Sequence, residues 1–155
     1  RRGSQEGRRQ APEGHHGAAA RGLSLRTAEC MPEALRTALA AVFGDDVDDV
    51  EIIERSWYAR LHFGARATTR RNRILLRGTA AELFADPELL LHEYFHVLRQ
   101  WNRGRLSIAA YLAEGLRRGY WQNRYEHQAR RFVALRLPAL LAQIGRRGPA
   151  GPRHA

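Results

Sequence analysis

The run His92-Glu93-Tyr94-Phe95-His96 has the spacing H-E-x-x-H. On a helix, histidines four residues apart lie about 40° apart around the axis, so both imidazoles can reach one metal ion. The glutamate beside the first histidine is then placed to take a proton from water rather than to hold the metal. Zinc in such a site lowers the pKa of a water molecule, and with the glutamate as base this is the chemistry of peptide-bond hydrolysis. A buried histidine pair satisfied by hydrogen bonds is the ordinary alternative. It fits less well here, because Leu89-Leu90-Leu91 bury the segment while the polar residues interrupt it. The sequence therefore points to His92 and His96 as zinc ligands and to Glu93 as general base.

Two histidines leave a zinc site incomplete, and a third protein ligand is needed. Three residues qualify. Glu126 shares a helical stripe with Ala129, Val133 and Leu137, so it points toward the core, where an unpaired carboxylate is costly. Its ordinary alternative is a capping-box-like start with Asn123. Glu114 follows His96 by 18 residues, but its helix face also carries Arg117 and Arg118. His127 lies about 100° from the apolar stripe, on a flank shared with Arg131. The reading favours Glu126 and leaves the other two open.

Weaker candidates surround this centre. Tyr111, Tyr120 or Tyr125 could polarise a substrate carbonyl, although aromatic residues at such spacings usually serve the core. Cys30 could mask the metal as a thiolate, and His15-His16 could do so from the N-terminal arm. A small buried cysteine is the ordinary reading of Cys30. Substrate-binding residues are not legible.

These side chains need a frame, and an α+β fold can be read for it. Residues 1–28 are rich in Gly, Arg, Gln, Ala and His without apolar periodicity, and are expected to be a disordered arm; residues 145–155 are expected to be a disordered tail. A metallopeptidase-like domain of residues 31–144 lies between them. Its first helix is expected over Pro32–Phe43, with Gly44 as its stop. Val50–Glu54, Trp57–Phe63, Ala65–Thr69 and Arg73–Arg77 are rich in strand-forming residues and suggest a small sheet of three or four strands. Asp86-Pro87-Glu88 opens the H-E-x-x-H helix, with an acidic N-cap and proline at its first position, and that helix should reach about Asn102. Further helices are expected over Ser107–Arg118 and from near Asn123, with Pro138 kinking or splitting the last. The arrangement is that of a compact zincin-like domain: sheet first, then the H-E-x-x-H helix and a third-ligand helix.

Four stretches also carry a family resemblance. Pro32-Glu33-Ala34-Leu35-Arg36 with Phe43-Gly44-Asp45-Asp46-Val47, then Asp49-Val50-Glu51-Ile52, then Gly64-Ala65-Arg66-Ala67-Thr68, and finally His92 to Gln100 together resemble the core domain associated with extracellular contractile injection systems of bacteria. That family's pattern over the last stretch is H-E-L-x-H-V-x-Q-Q; here Tyr94-Phe95 replaces the small or aliphatic pair and Arg99 replaces the first Gln. The resemblance covers about 70 residues and implies a metallopeptidase-type protein linked to a phage-tail-like injection machine. Glu126-x-x-Ala129-x-x-Phe132 separately resembles the third-ligand helix of compact, glutamate-liganded zinc peptidases, which supports Glu126 as ligand.

Composition bounds the partners. All 26 basic residues are arginine, and the net charge is +10. The charge is uneven: +4 over residues 1–26, −4 over 27–98, +7 over 99–136 and +3 in the tail. The Arg-rich stretch from Arg99 to Arg131 could meet an acidic protein, nucleic acid or a membrane surface, but a solvated helix surface is the plainer reading. No recognised nucleic-acid motif accompanies it. No run of 18 apolar residues or signal peptide is legible, and the single cysteine excludes an intramolecular disulfide framework. The sequence thus predicts a zinc metalloendopeptidase with Zn2+ as cofactor and a protein or peptide as substrate. It would be cytoplasmic before any export, then loaded into an injection particle and secreted. Two rivals remain: a metal-stabilised, non-catalytic interaction module of such a particle, and an Arg-rich nucleic-acid-binding protein.

Overall fold

A mixed four-stranded sheet lies on one side of the site, and helices that pack against it carry the histidines and the acid. The computed structural model describes residues 24–26, 30–44, 47–61, 65–119 and 121–146. In chain order, the elements are β1 (Ser24–Arg26), α1 (Glu33–Phe43), β2 (Glu51–Ile53), α2 (Trp57–Leu61), β3 (Ala67–Arg70), β4 (Arg73–Leu76), α3 (Ala80–Phe84), α4 (Pro87–Phe95, continued as π-helix over His96–Trp101), α5 (Ile108–Arg118) and α6 (Arg124–Arg146). This is the expected α+β class.

The strand order is β1-β2-β4-β3, with β2 and β4 parallel and the two outer pairings antiparallel. β3 is therefore an edge strand. Its hairpin to β4 pairs Arg70 with Arg73, and Asn72 takes the left-handed turn position at φ 57°, which asparagine tolerates better than most residues. The Asn72 amide donates to Asn102 Oδ1 at 3.0 Å, tying the hairpin to the end of the histidine-bearing helix. Ile52, Ile74 and Leu76 bury one face of the sheet against Leu35 and Leu39 of α1 and Leu90, Leu91 and Tyr94 of α4. α6 closes this core through Ala129, Val133 and Leu140, with Phe132 between Phe43 and Phe95 at ring distances of 5.2 and 4.8 Å.

Local chemistry sets the helix ends. Asp86 caps α4, its Oδ1 accepting the Leu89 amide at 3.0 Å, and Pro87 fills the first helical position where no N–H is missed. Gly44 ends α1 in the left-handed region at φ 64°. The Arg99 guanidinium lies over the Phe43 ring and donates to the Phe43 carbonyl at that end. Arg99 thus ties α4 to α1.

Several expectations need correction. Trp57–Leu61 is a helix, not part of a strand: Ser56 binds back to the Leu76 carbonyl, and its own carbonyl starts a helical turn by accepting the Arg60 amide. Its aromatic content has a strand-like propensity, which tertiary context overrides. The expected α-helix to Asn102 changes to π-helix at His96, where the Asn102 amide reaches the Val97 carbonyl. α6 runs through Pro138 as one helix. The carbonyl that Pro138 leaves without a donor is on exposed Ala134, where water can replace the missing bond. Ser24–Arg26, assigned to the arm, forms an edge strand against β2, and α6 extends to Arg146. The rest of the arm and tail lie outside the described residues.

Candidate metal centre

α4 presents His92 and His96 one turn apart, with ring centroids 4.7 Å apart and Nε2 atoms 3.0 Å apart. α6 supplies Glu126 from the opposite side: Oε2 lies 3.2 Å from His92 Nε2, and Oε1 lies 3.5 Å from His96 Nε2. One ligand atom from each residue falls within 4.8 Å of the others, and no second group of this kind forms among the described residues. Small, fully buried Ala129, one turn after Glu126, lets α6 approach α4 closely. Asn123 caps α6 instead of pairing with Glu126: its Oδ1 accepts the Tyr125 amide at 3.0 Å.

The hydrogen bonds around His96 fix which of its nitrogens faces this centre. Gln100 Nε2 donates to the Tyr125 carbonyl at 3.1 Å and to Gln128 Oε1 at 3.2 Å. The Tyr125 carbonyl can only accept, so the amide group of Gln100 must point there. Its Oε1 then faces His96 Nδ1 at 2.7 Å and can only accept in turn. In the neutral ring Nδ1 therefore carries the proton, and Nε2 is the nitrogen left to face His92 and Glu126 with a lone pair. This is the tautomer a metal ligand requires, set by an outer partner.

Charge and solvation agree with a cation site. Glu126 Oε2 is buried and makes no hydrogen bond among the described residues, although His92 Nε2 lies 3.2 Å away. Burial works to raise the pKa of Glu126, but the two imidazoles outweigh it and hold the carboxyl well below its usual range. Burial likewise works to lower the pKa of His96, yet the Glu126 carboxylate raises it overall. Two imidazole nitrogens and one carboxylate oxygen, one of whose atoms has no other partner, form a donor set that fits zinc. Glu93 faces the same space and is 6% exposed. Burial raises its pKa, opposed by the charges of His96 and His92 and reinforced by that of Glu126.

The group opens onto a cleft of about 320 Å³. β3 forms one wall; Ile108, Tyr111 and Leu112 of α5 form the other. The Tyr111 hydroxyl donates to Glu126 Oε1 at 2.9 Å. Tyr125 is buried beside Tyr111, its hydroxyl accepting from Arg124 at 2.7 Å; Tyr120 lies outside the described residues. Glu114 is buried elsewhere, with Oε1 3.3 Å from Arg118 Nε, and His127 is exposed. Cys30 packs at the margin of the hydrophobic core and does not line the cleft. His15 and His16 fall outside the described residues. In the Arg-rich stretch, Arg118 meets Glu114, Arg124 meets Tyr125, and Arg130 donates to the Trp121 carbonyl at 2.6 Å.

Two residues of this neighbourhood were not singled out from the sequence. Gln100 follows His96 by four residues and is polar among buried Val97 and Leu98, a signal of a buried partner on the same helix face. Arg70 ends β3 in the cleft wall, and nothing in its local pattern distinguishes it from the chain's other arginines.

Residues 30–104 match the family model of the eCIS core domain, a stretch that contains His92, Glu93, His96 and Gln100 but ends before Glu126. Comparison with curated proteins and with solved structures gives no match.

Proposed function

The chain carries an eCIS core domain over residues 30–104, and on that premise we propose that it is a zinc-dependent metalloendopeptidase associated with a bacterial extracellular contractile injection system, as accessory protein or carried toxin. The observation that carries the reading is the convergence of His92, His96 and Glu126 with the carboxyl of Glu93 at the floor of one cleft. The three ligand residues would hold the ion. Zinc, when bound, supplies a Lewis acid that acidifies water and polarises a carbonyl. Glu93 accepts the water's proton and passes it to the leaving amine; burial raises its pKa and so favours its holding that proton. Tyr111 anchors Oε1 of Glu126. β3, which among the described residues has a sheet partner on one side only, offers its outer backbone edge along the cleft to an extended polypeptide. Among the described residues no helix is long and apolar enough to cross a membrane.

The test compares zinc-loaded wild type and Glu93→Gln on a peptide library. Wild type should cleave, and the variant should keep its zinc while losing about 10²- to 10⁴-fold in rate. Unchanged turnover in the variant refutes the mechanism. Zinc binding without cleavage by the wild type would instead support a metal-stabilised interaction module.

A further inference from the structure

Arg70 ends the edge strand and lines the same cleft as His92, Glu93 and Glu126. It is the one arginine among the described residues of that lining. Its guanidinium lies 4.9 Å from the Tyr58 ring centroid and 5.3 Å from that of Trp101. Nη1 donates to the Thr69 carbonyl at 2.8 Å and Nη2 to the Tyr58 hydroxyl. Trp101 is itself fixed, donating from Nε1 to Thr69 Oγ1 at 3.1 Å. The group is therefore held in place and partly desolvated by aromatic faces, yet among the described residues only two of an arginine's five N–H donors are engaged. Among the described residues no carboxylate forms an ion pair with it. The acids lining the cleft, Glu93 and Glu126, belong to the metal centre.

We infer that Arg70 is a specificity-determining residue that receives a carboxylate of the polypeptide substrate. This rests on the peptidase reading and deepens it by naming a substrate class: chains with an acidic side chain, or a free terminal carboxylate, next to the segment that lies along β3. A fixed guanidinium binds carboxylate in a planar, two-point geometry that neither an amide nor a cation can reproduce. Its aromatic flanks reduce the water that would otherwise weaken the pairing.

The experiment measures binding, so that it does not depend on turnover. The full chain with Glu93→Gln, loaded with zinc, is titrated with labelled peptides in matched pairs: Glu against Gln inside a C-terminally amidated peptide, and a free against an amidated C-terminus. At least one carboxylate member should bind about 10- to 100-fold more tightly than its neutral partner, the scale of a charged hydrogen bond. The pair that shows the difference identifies the carboxylate's source. Arg70→Gln should abolish the difference, and Arg70→Glu should reverse it in favour of the neutral member of the pair. Equal binding within both pairs, or no peptide binding at all, overturns the inference. So does a preference that survives Arg70→Gln. Should either variant fail to fold, Arg70→Lys keeps the charge but loses the two-point geometry and should shrink the difference; a difference of full size in that variant overturns the inference. Carboxylate-selective binding by a protein that cleaves nothing would leave Arg70's role standing and remove only the peptidase reading.

Discussion

Replacing Gln100 by Leu tests whether the hydrogen bonds behind His96 prepare it as a ligand. Gln100 is 1% exposed, and its Oε1 is the acceptor for His96 Nδ1 at 2.7 Å. Leucine nearly conserves volume but leaves that N–H buried without an acceptor, a loss of about 1–3 kcal/mol in the metal-free fold. The Tyr125 carbonyl also loses a donor, though it keeps its place in the first turn of α6, so its share is smaller. Losing an outer partner of a liganding histidine weakens metal binding by about 10- to 100-fold. Competition titration against a chromophoric zinc chelator, with urea unfolding in parallel, measures both effects. Gln100→Glu is the companion variant. It keeps an acceptor toward His96 and should hold zinc at least as tightly as wild type, while the fold weakens because a carboxylate oxygen then faces the Tyr125 carbonyl. A folded Gln100→Leu protein with unaltered zinc affinity would refute the reasoning and leave Gln100 as packing alone.

Three further predictions concern the same centre. Glu126→Ala should weaken zinc binding far more than Glu114→Ala, since only Glu126 stands beside both imidazoles; equal effects in the chelator titration would contradict this. The metal-free protein should be most stable in mild acid. Glu126, with a lowered pKa, contributes stability above its unfolded value of 4.5 and loses it as pH falls through the folded value. His96, with a raised pKa, contributes fully below 6.5 and loses that contribution as pH rises through its folded value, while ionising buried Glu93 adds a cost in the same direction. Zinc competes with the His96 proton, so the rise in melting temperature on adding zinc should grow between about pH 5.5 and pH 8. A zinc effect that shrinks over this range in thermal melts would count against His96 as a ligand.

The centre was legible because its parts lie on helices, where spacing along the chain gives direction. His92 and His96 share a face by their separation alone, and Glu126 could be aimed inward because Ala129, Val133 and Leu137 follow it on one stripe. The sheet was harder. Trp57 and Tyr58 have strand-forming side chains yet sit on a helix, a choice made by the bonds of Ser56 to distant Leu76 and nearby Arg60. Ser24–Arg26 forms a strand only because β2 offers an edge, and no periodicity in so short an Arg-containing segment marks it. α3 was missed although its signal was present: Thr79 and Glu82 form a capping box, with the Glu82 amide on Thr79 Oγ1 at 3.3 Å and the Thr79 amide on Glu82 Oε2 at 3.1 Å. The π-helix that begins at His96 packs against β3 and α6, and no local pattern in the sequence records the change.

The most direct test of the central claim is zinc K-edge anomalous diffraction from crystals of the protein grown with one equivalent of zinc. The account predicts one ordered zinc per chain, bound by His92 Nε2 and His96 Nε2 at about 2.0–2.1 Å and by a Glu126 oxygen at about 2.0–2.2 Å, with Glu93 beside the ion but not bound to it. An ion held by Glu114 or His127, or no ordered zinc at a centre whose three side chains keep their present positions, would contradict it.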